Sequence, residues 1–365
     1  MDPVRVLCLS QNPLPDSRVE KSALTASKAG HSVIFAGPRS DPTYTNDGSF
    51  EEIIRLPFSR SANLGIPPDW NRLKKKFLGL LVNTKPDIIH AHNLVAGKLA
   101  LESGLTYIYD DHEFWSLILK ATRRMKWYHM LTQPYKRWLA SRREDEVLDN
   151  ASGVIVISEP MAEYHRKKNN NVQVVPNYPL RDESLGLETK SEEPGVLSSV
   201  YVGSDCSQPV MAPYRDVSGL LDIFRKHPVG KLTVIGDSNL VGLRPVHSLG
   251  FLPHAEMMME LTNHHIGLLP WKKHWVHSYA NPNKPYEYAH AGLLNLVISD
   301  ADPVIKTLGE HVRTFDNYEE LREILHEFSQ NIDQISGQKH RIRNFALDYL
   351  IWEKNETRIL SLYGS

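Results

Sequence analysis

A chain of 365 residues, set against the roughly 150 of a typical domain, predicts two domains or slightly more. Its 42 Lys and Arg against 43 Asp and Glu give a net charge of −1, which excludes a protein that holds nucleic acid on a broadly basic surface. With 41% hydrophobic and 23% charged residues the composition is globular, and apolar runs such as "VIVI" at 154–157 are too short to span a bilayer.

The first segment, "MDPVRVLCLSQNPLP", carries Asp2, Arg5 and flanking prolines, a poor signal peptide and a good buried strand. Strands are expected at 4–10, 32–36, 87–91, 106–110, 153–157 and 172–175, with "RVEKSALTASKAG" between the first two reading as a helix closed by Gly30. This alternation predicts one doubly wound parallel domain over 1–180. From Arg181 to Leu197 the sequence turns acidic and poor in apolar residues, as an exposed linker does. The pattern then restarts, with strands expected at 199–202, 231–235, 265–269 and 294–299, giving a second α/β domain over 198–347. A terminal helix over about 348–365 has Leu350, Trp352, Leu360 and Tyr363 to bury, and is expected to return to the first domain. Cys8 and Cys206 are too far apart in sequence to argue a disulfide framework, and a reducing cytosol is the expected location.

In doubly wound domains ligands sit beyond the strand C-termini, so function is expected in loops there. The loop "HSYANPNKPYEYAHAGLLNLVIS" places Asn283 before a helix that begins at Lys284, with Glu287 in its first turn. Free N–H groups and Lys284 suit a diphosphate, and the Glu287 carboxylate can accept ribose hydroxyls; the plainer reading is a capped helix with a dipole-favoured acid.

At these residues the chain resembles the retaining GT-B glycosyltransferases, in particular the family-four group. "DSRVEKSALTASKAGHSVIFAG" is similar to the family's first helix and second strand, "KPDIIHAHN" to its Asp-x-x-His-x-His strand, and "YDDHEFWS" to the segment with an N-domain histidine. "VYVGS", "LTVIGDS", "LGFLPHAEMMMELTNHHIGLLP" and "NKPYEYAHAG" resemble successive pieces of the nucleotide-binding domain. The resemblance implies two Rossmann-like domains facing a central cleft. It also implies transfer of a sugar from a nucleoside diphosphate donor, with retention, to a glycan or lipid-linked acceptor. No obligatory metal is expected, nor any cofactor beyond the donor.

Carried over residue by residue, Glu287 matches the family's second motif glutamate, which binds the donor ribose, and His112 the histidine near the transferred sugar. Gly203, Ser204, Arg215, Tyr279, Asn283 and Lys284 complete the donor side implied by the resemblance; Asp16, Arg18, His92 and Glu113 fall on the acceptor side. The match has departures. Tyr279 stands where the family's first glutamate belongs, and no acid lies between Glu260 and Glu287. Ser204 follows Gly203 where many relatives carry arginine, so Arg215 and Lys284 are expected to share the phosphate charge. The first loop lacks the usual double glycine. Alternative readings are a GT-B nucleotide-sugar epimerase and a family member that binds nucleotide sugar without turnover.

Asp-x-Asp in "SDADP" at 299–303 and the pairs His90/His92 and His264/His265 were weighed as metal ligands. The histidine pairs lack the nearby carboxylates expected of a zinc site, so no metal site is expected. The first turn has no G-x-G-x-x-G, against a nicotinamide enzyme. Residues 120–143 carry eight cations and no acid, interleaved with Trp127, Tyr135 and Trp138, and "RLKKKFLGLL" at 72–81 repeats the combination. These stretches are expected either to rest on an anionic membrane at its inner face or to be core stripes with solvated cations.

Overall fold

Valine- and isoleucine-rich runs form two sheets, each wholly parallel among the described residues. The computed structural model describes residues 2–42, 44–121, 127–187, 195–203, 213–240 and 246–364, leaving aside the side chains of 127–132, 213 and 238. The first sheet comprises β1 (Arg5–Ser10), β2 (Ser32–Gly37), β3 (Glu52–Arg55), β4 (Ile88–His92), β5 (Tyr107–Asp111), β6 (Gly153–Val156) and β7 (Val172–Val174), ordered β3-β2-β1-β4-β5-β6-β7. The second comprises β8 (Ser198–Val202), β9 (Lys231–Ile235), β10 (Val246–Gly250), β11 (Ile266–Leu269), β12 (Leu294–Ile298) and β13 (Val312–Phe315), ordered β10-β9-β8-β11-β12-β13. Both reverse direction beside their first strand, between β1 and β4 and between β8 and β11, the switch point at which ligands of such sheets bind.

The predicted first helix runs over Ser17–Lys28, because Asp16 caps it by accepting from the N–H groups of Arg18 and Val19. Gly30 follows at φ +87°, a left-handed turn in which a side chain is strained. β3, β10 and β13 were not expected from the sequence. All three lie toward sheet edges, and "EIIR", "VHSLG" and "VRTF" are too polar to read as buried strands.

The described chain divides into two compact units, the first holding residues 2–120, 127–176 and 355–364 and the second residues 177–354. The stretch expected to be an exposed linker, 181–197, is not one throughout. Ser184 is fully buried against His290 Nδ1, and Leu187 joins a core cluster with Met258 and Tyr288, so the few residues of that stretch with partners dock on the second unit. The terminal segment also differs from a single helix over 348–365. The helix Lys339–Tyr349 ends at Leu350, whose carbonyl accepts from His290 Nε2 at 2.8 Å and whose side chain enters the second core. A short turn at Trp352–Asn355 follows, with the Trp352 N–H donating to the Pro179 carbonyl, and only the helix Glu356–Tyr363 belongs to the first unit.

Candidate functional site

In the first unit the strand register assembles an ionisable cluster. Cys8 pairs with His90, Ser10 with His92, and His92 with Asp110, which sets these residues side by side across β1, β4 and β5 near their C-terminal ends. Arg18, from the first turn of the capped helix, donates from Nε to both Asp110 oxygens at 3.0 and 3.1 Å and from Nη2 to Oδ1 at 2.9 Å. Its Nη1 donates to the Val175 carbonyl at 2.9 Å. The pair is 6% and 1% exposed, so it is a buried ion pair whose remaining hydrogen-bonding capacity must be met within the protein.

Three imidazoles face the same carboxylate oxygen. Asp110 Oδ2 lies 3.4 Å from His90 Nε2 and 3.6 Å from both His92 Nδ1 and His112 Nε2. His92 Nδ1 and His112 Nε2 are 3.1 Å apart, and His90 Nδ1 lies 2.8 Å from the Tyr363 hydroxyl. Burial alone would raise the Asp110 carboxyl, but Arg18 and the histidines hold it well below the usual carboxylate range. Burial, reinforced by the neighbouring His90, pushes His92 well below the ordinary imidazole value and keeps it neutral. The Cys8 thiol is pushed up to about 12 by burial and by Asp110, which makes it inert.

The loop carrying His112 is fixed from both sides. Asn93, at φ 68°, turns its Oδ1 to accept from the His112 N–H at 3.3 Å, and Asp111 accepts from the Phe114 N–H at 3.1 Å while its Oδ2 meets His165 Nε2 at 2.8 Å. Of the residues placed on the acceptor side, Arg18 and His92 therefore come together with His112. Asp16 is a helix cap, and Glu113 is exposed. Asp110, His90 and Tyr363 were missed. The expectation that His90 and His92 lack a nearby carboxylate is corrected by Asp110, which is distant in sequence and adjacent only through strand pairing.

In the second unit, Gly203 follows β8 and Lys284 opens the seven-residue helix Lys284–His290. Lys284 Nζ lies 6.0 Å from the Tyr201 ring, and a Cβ at Gly203 would stand 2.6 Å from the Tyr201 hydroxyl, so these residues border one spot. Gly236, at φ +108°, brings its backbone within about 3.2 Å of Gly203 where a Cβ would point. Glu287 is 8% exposed and its Oε1 lies 3.3 Å from His254 Nε2, while His254 Nδ1 stands 3.9 Å from Glu183. His254 had no sequence signal beyond lying in "LPHAE" before a helix. Arg215 is exposed, with its guanidinium over Trp271 at 5.4 Å and Tyr214 at 5.9 Å. Tyr279 and Asn283 are half-buried, and Asn283 makes no side-chain cap bond; Ser204 lies outside the described residues. Asp300 accepts from the His274 N–H, and among the described residues it joins no group of three ligand atoms that could hold a metal.

On the helix Pro67–Thr84 the apolar stripe Trp70, Leu73, Phe77 and Leu80 is core, and Arg72, Lys75 and Lys76 are exposed. The helix Trp127–Asn150 instead exposes Tyr135 and Trp138, at 62% and 54%, with Arg142 over the Trp138 ring at 5.6 Å. Residues 122–126 of the basic stretch lie outside the described residues. Among the described residues no helix is long and apolar enough to cross a membrane.

Residues 20–178 match the model of Glycosyltransferase Family 4. Sucrose-phosphate synthase from Thermosynechococcus elongatus superposes with a TM-score of 0.73 at 15% identity, covering 99% of this chain and 98% of its own. HepE of Anabaena, in complex with UDP and glucose, gives 0.68 at 14% identity over 99% and 100% of the two chains. WaaG, a glycosyltransferase involved in lipopolysaccharide biosynthesis, gives 0.64 at 14% identity over 98% and 99%. No curated protein matches the sequence. The chain has the GT-B fold of these structures, and residues 20–178 are similar to Glycosyltransferase Family 4. The matched stretch lies mostly in the first unit and includes Asp110 and His112, whereas Arg18 and Glu287 lie outside it.

Proposed function

We propose that the protein is a retaining glycosyltransferase that moves a hexosyl group from a nucleoside diphosphate donor, bound by the second unit, to a glycan or lipid-linked acceptor served by the first. The observation that carries this reading is Glu287, a buried carboxylate one turn from Lys284 whose Oε1 lies 3.3 Å from His254 Nε2, with Lys284 and Gly203 both bordering Tyr201. Such a group accepts two hydroxyls of a ribose, while Lys284 and Arg215 offset the charge of a departing diphosphate. The departing phosphate oxygen takes the acceptor proton, and His112 positions and stabilises charge near the sugar. No obligatory metal takes part. The family match over residues 20–178 and the UDP and glucose named for HepE support the same class of donor.

The exposed Tyr135, Trp138 and Arg142 support a peripheral contact with anionic lipid at the cytoplasmic face. Co-sedimentation with liposomes should rise with anionic lipid content, and the Trp138→Ala variant should weaken it; no dependence on either discards that contact.

The decisive experiment incubates the protein with labelled nucleotide sugars, with and without a polyprenyl-phosphate-linked acceptor. Transfer that requires acceptor is expected. Conversion without acceptor would indicate an epimerase, and binding without conversion a family member in which Tyr279, standing for the first glutamate, has ended turnover.

A further inference from the structure

The His92, Asp110 and His112 side chains bring three potential ligand atoms within reach of one another. The atoms His92 Nδ1, His112 Nε2 and Asp110 Oδ2 form a triangle with edges of 3.1, 3.6 and 3.6 Å. A tetrahedral zinc ion, about 2.0–2.2 Å from each nitrogen or oxygen ligand, sets such ligands about 3.3–3.5 Å apart. We propose that these three atoms form a binding site for one divalent cation of the zinc type, with a fourth position open where the His112 side chain, 10% exposed, reaches solvent. The site rests on the first unit alone and stands whether or not the glycosyltransferase reading does.

The surroundings suit ligands held ready for metal. His92 is fully buried, with its Nδ1 beside the other two ligand atoms. Arg18 fixes the plane of the Asp110 carboxylate, and the Asn93 side chain fixes the His112 backbone, the kind of outer contacts that orient metal ligands. The guanidinium also sets the limits of the site. Its positive charge beside a dication lowers affinity and favours hydroxide in the open position, so binding is expected to tighten as pH rises. A second group, Cys8, His90 and His92, also converges, but all three are fully buried and the thiol is held protonated, so it is the poorer site.

Chelator-treated full-length protein titrated with Co²⁺ tests the assignment. One equivalent is expected to bind, with the intense visible bands of a four-coordinate nitrogen and oxygen site, and Zn²⁺ should displace it. His112→Ala and His92→Asn should each lower affinity at least about tenfold, and Cys8→Ser should leave it unchanged. Zn²⁺ should also protect His112 of the unaltered protein from diethyl pyrocarbonate, mapped by mass spectrometry, a readout that needs no variant to fold. A sulfur-to-cobalt charge-transfer band lost in Cys8→Ser would move the metal to the other group and overturn the assignment. Absence of a saturable single equivalent, or His112 modified equally with and without Zn²⁺, would mean that the two histidines merely share a proton.

Discussion

The two sheets share one strand order around their switch points, yet they bury different chemistry there. Beneath the ends of β1, β4 and β5 the first unit encloses Arg18, Asp110, His90 and His92, all at most 5% exposed. The second encloses Tyr201, Leu268 and Leu296 at the equivalent level and keeps Lys284 and Arg215 at its rim, with Glu287 only just covered. A common topology therefore fixes where side chains converge but not what they are. Around its switch point the first unit carries a high cost of enclosed charge that pairing must offset; the second sets Lys284 and Arg215 where they are less deeply covered.

The largest expected effect breaks that pairing. Arg18→Met leaves Asp110 enclosed without its partner and should cost about 3–5 kcal/mol in chemical denaturation, whereas Arg18→Met combined with Asp110→Leu should recover most of the loss. If the single variant costs under about 1 kcal/mol, the first unit does not depend on the pair and the contrast between the sheets fails.

A second test concerns a carboxyl of the first unit that has no cation partner among the described residues. Glu144 is 2% exposed, contacts the Ser116 hydroxyl and N–H, and is pushed up to about 8 by burial and then by Asp111. Its folded value lies above its unfolded one, so its contribution is fully present below about pH 4.5 and is lost as pH rises toward 8. Relative to Glu144→Gln, the unaltered protein should lose up to a few kcal/mol across that window. Parallel stability curves for the two would remove the argument.

In the second unit, Glu287→Ala should barely change the melting temperature yet weaken binding across a panel of nucleoside diphosphates by about ten- to a hundredfold in calorimetry, the loss of hydrogen bonds to a charged group. Unchanged affinity would remove the donor-site assignment. The smallest effect is expected at the exposed pair Lys226–Asp222, where Lys226→Ala should change stability by less than about 0.5 kcal/mol. A larger loss would show that rim charges in the second unit act as the enclosed ones do in the first.

Much of the fold was legible because central parallel strands bury both faces and read as mainly apolar runs, as "RVLCLS" and "IGLL" do. Of the edge strands only β7 was expected; β3, β10 and β13 were not, since one side faces water and their composition drifts toward that of loops. Glu287 could be picked out by its place in a helix turn, and His112 by the family resemblance. Asp110 could not, although it stands two residues from His112, because its role comes from Arg18, 92 residues away in sequence, and from strand pairing that no local pattern encodes. His254 was hidden for the same reason: its link to Glu287 spans 33 residues.

The helix Glu356–Tyr363 ends with the Tyr363 hydroxyl on His90, while Gly364 beside it is exposed. The last turn of this helix thus works as a stopper over His90. Replacing this one tyrosine by alanine would open a dry space to water, and would be felt first by the protonation of His90 and His92 rather than by the shape of the sheet.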